Sequence, residues 1–205
     1  MAIENFTTYT EVDASGVITV TPTRCTALNC DRDIEAYVYK DFGAAYFDAL
    51  DIYVTIYIDT NTQNAGTQVF GLADNIEDAA NWDALSFGIQ HGKTTTGTPR
   101  MSMQQGVSGG DYYDGSTNTP YYLHIERDAG NDTITCKIYD DAGRTNLVDT
   151  LTRSGYSTET WRYAYAIASY NDGNTGRDYD GYVENLDFSP GAVGIAASKR
   201  MSAMT

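Results

Sequence analysis

The sequence predicts an all-β protein, built as a single antiparallel β-sandwich of two sheets. Apolar residues alternate with polar ones in short segments along most of the 205 residues, which is typical of strands with one buried face. Glycine, asparagine and aspartate separate these segments at short intervals. No long segment has helical periodicity, and a chain of this length can bury a core between two sheets.

Residues 50–59 form the clearest predicted strand, because the even-numbered residues from Leu50 to Ile58 are apolar and the odd-numbered ones are polar or tyrosine. The other strands predicted before residue 106 are 16–21, 34–40, 67–73, 85–90 and 100–105. Residues 61–66 are predicted to form a turn. Asp74 and Glu77 have the spacing of a capping box, so one short helical turn is expected within 74–83.

Residues 106–119 are rich in glycine, serine, aspartate and asparagine and have no apolar period, which predicts a surface loop. The run from Tyr121 to Phe188 then alternates strands with turns and loops. Within it Cys136 alternates with Ile134 and Ile138, so its thiol is predicted to face the core.

The predicted sandwich spans residues 10–189, between an N-terminal arm of residues 1–9 and a C-terminal tail of residues 190–205. The tail is small, apolar and basic, whereas the rest of the chain is acidic. We expect it to dock on the domain or on a neighbouring subunit. Its candidate assembly residues are Ile195, Lys199, Arg200 and Met201.

Charge excludes two classes of partner. The formal net charge is −15 and the pI is about 4.2, whereas nucleic-acid binding requires a basic surface that displaces phosphate counterions. Anionic membranes are disfavoured for the same reason, and no apolar run approaches the roughly 20 residues of a membrane span. The first residues show no signal peptide, so synthesis in a cytosol is expected, and three cysteines do not predict a disulfide framework.

The run from Tyr121 to Phe188 contains the strings IYDD, RTNLVDTL, SYNDG and GYVENLDF in this order. With these strings the chain resembles the concanavalin A-like or laminin G-like β-sandwich domains, and in particular their phage and metagenomic members. The resemblance implies a jelly-roll sandwich and a virion-associated protein. Lectins, glycanases and structural modules all use this fold, so the resemblance alone does not select a function.

Glycanases of the laminarinase type share this fold and carry Glu-x-Asp-x-x-Glu on one strand, where one carboxylate is the nucleophile and another the general acid. The nearest string here is Glu-Arg-Asp-Ala-Gly-Asn at 126–131, which ends in Asn131. It is predicted to end in a hairpin turn, away from any cleft that a strand would form. Because no nucleophile elbow or His-Glu-x-x-His motif occurs either, we predict a non-catalytic protein.

The chain has 17 tyrosines, and several fall on the polar side of predicted strands. A tyrosine ring combines apolar faces with a polar tip, which suits contact with sugars. If one sheet is concave, these residues and their polar neighbours predict a glycan-binding face. Its candidates are Tyr37, Tyr39, Tyr53, Tyr57, Gln90, Arg100, Gln104, Tyr122 and His124. The alternative is that tyrosine is simply a favoured strand residue, and the sequence leaves both explanations open.

Carboxylates in loops are candidates for a calcium site, because calcium prefers oxygen ligands in flexible loops. These candidates are Asp111, Asp114, Asp140, Asp141, Asp172, Asp178 and Asp180. No spacing of the EF-hand type occurs, and aspartate is frequent in turns for conformational reasons alone. The sequence therefore predicts no cofactor, with calcium as the alternative.

Three functions follow from these observations. The first hypothesis is a non-catalytic structural or adhesive protein on a virion surface, as capsid decoration, head fibre or tail appendage of a phage. Its expected partners are other virion proteins, further copies of itself and cell-surface glycans, held through many copies. The second hypothesis is a free-standing carbohydrate-binding module, and the third is a glycanase with a degenerate motif.

Overall fold

The computed structural model describes residues 3–59, 65–76, 87–105, 108–169 and 174–188. Their regular structure consists of β-strands, apart from one turn of 3₁₀ helix at Phe6–Thr8. The strands are β1 (Thr10–Asp13), β2 (Ile18–Val20), β3 (Arg24–Arg32), β4 (Ala36–Asp41), β5 (Leu50–Ile58), β6 (Gly66–Ala73), β7 (Phe87–Lys93), β8 (Pro99–Gln105), β9 (Ser108–Asp114), β10 (Tyr121–Arg127), β11 (Thr133–Tyr139), β12 (Leu147–Ser154), β13 (Tyr163–Ala168) and β14 (Asn174–Asp187). The all-β prediction is confirmed. Within these residues no helix is long and apolar enough to cross a membrane.

The described strands form two sheets of seven. Sheet I has the order β1-β4-β13-β6-β7-β8-β9, and sheet II has the order β12-β11-β10-β5-β14-β3-β2. The pairings between these strands are antiparallel. Strands β10, β11 and β12 form a meander, whereas β5 lies between β10 and β14, which are distant in sequence. This is the predicted two-sheet sandwich, consistent with a jelly roll.

The core lies between the sheets and follows the alternation along each strand. In β5, Ile52, Val54 and Ile56 are buried, and on the neighbouring β10 so are Leu123 and Ile125. Full burial of such a side chain stabilises the fold by roughly 1.5–3 kcal/mol. The intervening residues of both strands point away from the core, so the alternation determines which side chains sheet II presents on its outer face.

The core also encloses titratable groups. His91 in β7 is 1% exposed, and desolvation lowers the pKa of its imidazole to about 3, so the ring is neutral. The thiols of Cys25, Cys30 and Cys136 are free and buried, and burial raises the pKa of each to about 12. The core position predicted for Cys136 is confirmed.

Three strands depart from the sequence prediction. Strands β1 and β3 were not predicted, and the loop predicted at 106–119 contains β9, which pairs with β8 at the end of sheet I. Tyr113 of β9 packs against the core, whereas Tyr112 is half exposed. Backbone pairing holds β9 in place with little apolar burial, and this explains why its sequence lacks an apolar period.

Several predictions fall outside the described residues. They include most of the turn at 61–66, residues 77–83 of the predicted helical turn, and the tail from residue 190 with its four assembly candidates. The segment that the sequence set apart as an N-terminal arm contributes Phe6 and Tyr9 to the core. The backbone N–H of Glu4 donates a hydrogen bond to the carbonyl of Leu186 at 2.7 Å, which joins residues 3–9 to the sandwich.

Candidate functional site

The residues predicted to form one glycan-binding face lie on opposite sides of the sandwich. Sheet I carries Tyr37, Tyr39, Gln90, Arg100 and Gln104, whereas sheet II carries Tyr53, Tyr57, Tyr122 and His124. In both groups the neighbouring residues along the strand belong to the core, so these side chains occupy the outer faces. The core separates the two groups, and they cannot line one groove.

On sheet I, the tyrosines cover one another. Tyr37 and Tyr39 of β4 pack with Tyr163 and Tyr165 of β13. The rings of Tyr39 and Tyr165 are stacked, with centroids 5.7 Å apart and planes inclined by 29°. Tyr37 is 7% exposed and Tyr165 is fully buried, so this cluster favours the structural explanation for its tyrosines.

The polar candidates of sheet I satisfy one another by hydrogen bonds. Gln104 Nε2 donates to Gln90 Oε1 at 3.0 Å and to Ser102 Oγ at 2.6 Å. Arg100 forms two hydrogen bonds with the carboxylate of Asp114, at 2.7 and 3.0 Å. The depression beside Gln90 and Arg100 has a volume of about 130 Å³, which leaves room for little more than a few water molecules.

Sheet II carries a larger depression on its outer face, with a volume of about 600 Å³. Strand register places its side chains in rows: Asp51 lies beside Glu126, and His124 lies between Tyr53 and Lys137. We call this depression the carboxylate pocket, after Asp51 and Glu126. Because pairing of β5, β10 and β11 fixes these positions, the polar groups are held by strands rather than by a loop.

Asp51 and Glu126, two of the carboxylates that line this pocket, have cationic or N–H partners. His124 Nε2 lies 2.8 Å from Asp51 Oδ1 and 3.6 Å from Glu126 Oε1. Lys137 Nζ donates to the second oxygen of Glu126, and this hydrogen bond raises the pKa of Lys137. The side chains of Asp51 and Glu126 are 30% and 38% exposed. Each carboxylate therefore keeps acceptor sites for a ligand, and Lys137 offers a donor beside them.

Aromatic rings on this face are stacked across neighbouring strands. The rings of Tyr53 and His124 have centroids 4.2 Å apart and planes inclined by 11°. Those of Tyr57 and Tyr182 are 4.7 Å apart and inclined by 10°. Since strand side chains stand roughly perpendicular to the sheet, rings stacked in this way face each other and direct their edges to the solvent. Burial, followed by the charge of Asp51, raises the pKa of Tyr53.

A second depression, of about 350 Å³, adjoins the carboxylate pocket and shares Tyr53 with it. Its lining includes Tyr122, Asp187 and Arg144, and we call it the arginine pocket. The guanidinium carbon of Arg144 lies 5.0 Å from the ring centroid of Tyr53 and 5.9 Å from that of Tyr122. Burial lowers the pKa of Arg144, and its Nε is buried with no hydrogen-bond partner.

The loop between β11 and β12 holds Arg144 over these rings. Its φ of 52° lies in the left-handed region. The carboxylate of Asp141 accepts hydrogen bonds from the backbone N–H groups of Asn146 and Thr145, at 2.6 and 2.9 Å, and from the Thr145 hydroxyl at 3.0 Å. These bonds, that from Asn146 first, lower the pKa of Asp141. The backbone N–H of Arg144 also donates to the Asp141 carbonyl, so the loop is braced around this one residue.

The glycanase-like string at 126–131 ends in a turn, as predicted, but its position differs from the expectation. Glu126, Asp128 and Asn131 all line the carboxylate pocket, because the turn lies at the end of the depression rather than away from it. The side chain of Asn131 accepts the backbone N–H of Thr133 at 3.1 Å. The amide thus shapes the hairpin, and the position lacks the carboxylate that the glycanase motif requires.

The aspartates considered for calcium are dispersed over the described structure. Asp111 and Asp114 lie in β9, Asp140 and Asp141 follow β11, and Asp178 and Asp180 lie in β14. Asp180 Oδ1 accepts the backbone N–H of Asn29 at 2.6 Å, and Asp172 lies outside the described residues. In the described ranges, no three His, Cys, Asp or Glu side chains are arranged to hold a metal ion.

Sequence reasoning missed Asp51, Lys137 and Arg144 as binding candidates. Asp51 and Lys137 had a usable signal, because both alternate with core residues and therefore had to face outward. The sequence carries no such signal for Arg144, since its position over Tyr53 depends on the hydrogen bonds that Asp141 makes within the loop.

No protein-family model and no curated protein matches the chain. Among solved structures, a protein described as a sialidase aligns with 91% of this chain and 18% of its own length, at 13% identity and a TM-score of 0.58. The exoplasmic/lumenal domain of VIP36 in its calcium-bound form aligns with 92% of this chain and 90% of its own, at 10% identity and a TM-score of 0.53. The same domain in its form with calcium and Man2 aligns with 94% of this chain and 90% of its own length, at 12% identity and a TM-score of 0.51.

This chain therefore spans 18% of the sialidase's length, and at such low identities the likeness shows the fold alone. It supports a concanavalin A-like sandwich, as the strings in the run from Tyr121 to Phe188 predicted. Neither the fold nor these neighbours bear on a phage virion.

Proposed function

We propose that this protein is a carbohydrate-binding module that holds a saccharide in the carboxylate pocket of sheet II. The observation that carries the proposal is the pocket itself. Strand register brings Asp51, Glu126, Lys137 and His124 beside Tyr53, in an open depression of about 600 Å³. Sugar hydroxyls donate to carboxylates and accept from an ammonium group, and each such charge-assisted hydrogen bond contributes roughly 1.5–3 kcal/mol.

The fold comparison supports the same function. The description of one VIP36 domain names a bound form with calcium and Man2, and its fold aligns with 94% of this chain. Because a fold does not determine a function, the pocket side chains carry the assignment. Of the two opposite faces, sheet II is favoured, since its depression has a volume of about 600 Å³, whereas the one beside Gln90 and Arg100 on sheet I has about 130 Å³.

The side chains of the carboxylate pocket support binding of a saccharide without its hydrolysis. Glu126 is the residue aligned with a catalytic glutamate of the glycanase string, and it is tied to Lys137 and lies 3.6 Å from His124. A general acid must present its carboxyl group to the leaving oxygen, whereas one oxygen of Glu126 accepts a hydrogen bond from the ammonium group of Lys137.

The virion hypothesis was placed first by the sequence and has gained no support from the fold or from the comparisons. It rested on the resemblance to phage and metagenomic domains, on the lack of a signal peptide and on the composition of the tail from residue 190, and the tail lies outside the described residues. Deleting residues 190–205 tests it, since the shortened protein should then fold but lose self-association. Binding of a saccharide requires no assembly, and it is therefore the function that we put forward.

A glycan array probed with purified protein tests the proposal, followed by calorimetry on the glycans that bind. The double variant Asp51→Asn/Glu126→Gln should lose at least about tenfold in affinity, equivalent to one charge-assisted hydrogen bond. The matched control is Glu184→Gln, because Glu184 lies on the same face, is ion-paired with Arg24 and lines neither pocket. Undiminished binding by the double variant would contradict the assigned pocket.

A second measurement separates binding from catalysis. Release of reducing ends from the glycans that bind should be absent. If the wild-type protein releases reducing ends and the single variant Glu126→Gln does not, the protein is a glycanase and the non-catalytic proposal is wrong.

A further inference from the structure

We infer that the arginine pocket receives a carboxylate group of the bound saccharide, so that the module selects acidic glycans over neutral ones. The inference rests on the proposed function and adds a substrate class to it. It starts from Arg144, whose guanidinium is held above two tyrosine rings at the side of the carboxylate pocket.

The cations on this face differ in what they bind. Arg24 is ion-paired with Glu184, and Lys137 is ion-paired with Glu126. Arg144 forms no ion pair with the carboxylates of the described residues, and its buried Nε has no hydrogen-bond partner. A guanidinium offers five N–H donors and keeps its charge in proteins. Of these three cations, Arg144 is therefore the one whose charge has no carboxylate partner among the described residues.

The position of Arg144 fits a ligand that spans both depressions. The carboxylate and arginine pockets share Tyr53, so a saccharide seated beside Asp51 and Glu126 can extend across Tyr53 toward Arg144. A guanidinium binds a carboxylate through two parallel hydrogen bonds, a geometry that an uncharged hydroxyl does not offer. The arginine pocket has a volume of about 350 Å³, which accommodates one carboxylated sugar ring.

The loop prepares this contact before the ligand arrives. Asp141 fixes the loop backbone through the N–H groups of Thr145 and Asn146, and the tyrosine rings limit the motion of the guanidinium. Because an arginine side chain that is already ordered loses less conformational entropy on binding, the braced loop increases the affinity that the new hydrogen bonds provide.

The carboxylates near the arginine pocket repel an anionic ligand, but those of the described residues form no ion pair with Arg144. Asp187 lines the same pocket, is 3% exposed and favours the charged form of the guanidinium. In the adjoining pocket, Asp51 is bonded to His124 and Glu126 to Lys137. The overall charge of −15 acts over longer distances and is screened beyond about 10 Å at 0.1 M salt. The short contact with the guanidinium therefore determines which glycans are selected.

The test compares sugars that differ only in charge. Oligogalacturonate and oligomannuronate are titrated as free acids and as full methyl esters, at constant ionic strength, by calorimetry and by the NMR signal of the Arg144 Nε–H group. Dextran sulfate and dextran form the sulfate arm. The variants are Arg144→Gln and the matched control Arg24→Gln, since Arg24 carries the same charge on the same face but lines neither pocket.

We expect an acid to bind at least about tenfold more tightly than its ester and to shift the Arg144 signal. Arg144→Gln should abolish this preference, whereas Arg24→Gln should retain it. An acid and an ester that bind equally, or a preference that survives Arg144→Gln, would overturn the inference and leave saccharide binding intact. A shift of the Arg144 signal with dextran sulfate alone would overturn the carboxylate assignment. If neither these sugars nor any glycan on the array binds, the proposed function fails as well.

Discussion

The buried imidazole of His91 predicts a defined loss of stability in acid. Burial lowers its pKa from 6.5 to about 3. Below pH 6.5 the imidazole of the unfolded chain takes up a proton, whereas the folded protein takes none until about pH 3. Stability is thus fully present above pH 6.5 and falls as the pH decreases through this window. Each pH unit costs about 1.4 kcal/mol, so at pH 4.5 the loss is about 3 kcal/mol.

The variant His91→Leu isolates this contribution. It removes the titrating group from a site where Nδ1 has no hydrogen-bond partner, and the remaining titratable groups are common to both proteins. Urea unfolding of each is measured at pH 7.5 and pH 4.5. The wild type should lose about 3 kcal/mol more than the variant between the two pH values. Equal losses would refute the reasoning, because they would mean that folded His91 binds the proton as readily as the unfolded chain.

Three further predictions concern the scaffold. Gly181→Ala should destabilise the protein by about 1–3 kcal/mol, because an added Cβ would overlap the carbonyl oxygen of Tyr57; an unchanged urea midpoint would contradict this packing. Asp48→Asn should cost about 1–3 kcal/mol, since the side chain of Arg127 is fully buried and pairs with Asp48 at 3.4 Å. Adding Arg127→Met should recover most of that loss in the same assay, and a larger loss would show that the guanidinium is needed for its other contacts. The three cysteine thiols, whose pKa burial raises to about 12, should resist iodoacetamide at pH 8 until urea unfolds the protein, and native labelling would show that a thiol is accessible.

Strand alternation could be read from the sequence where burial is strong. In β5 and β10 each second residue enters the core, and the prediction of 50–59 located β5 to within a residue. In β9 it failed, because that strand is held by backbone hydrogen bonds to β8 and places little apolar surface in the core. Backbone pairing leaves no pattern in the side chains, so a strand of this kind resembles a loop in sequence.

The candidate site shows a different limit. Alternation indicates that Tyr53 and His124 face outward, but it does not reveal which strands are neighbours. His124 and Asp51 are 73 residues apart in the chain, and only the pairing of β5 with β10 brings them within 2.8 Å. For the same reason the sequence could not separate Tyr39, which lies on sheet I, from Tyr53 on sheet II.

Ring pairing on sheet II limits which ring faces the proposed saccharide could contact. One face of Tyr53 is covered by His124 and one face of Tyr57 by Tyr182, and such aromatic pairs contribute about 0.5–1.5 kcal/mol each. The stacked rings therefore serve the ligand mainly through their edges and hydroxyl groups. Tyr122 belongs to no ring pair in the described part of the chain, and it lies under Arg144. The arginine pocket thus combines the ring of Tyr122 with the guanidinium of Arg144. The carboxylate pocket combines the acceptors of Asp51 and Glu126 with the ammonium group of Lys137. Because ring pairing covers part of the tyrosine surface on this face, the number of tyrosines in the sequence is by itself a poor guide to ligand binding.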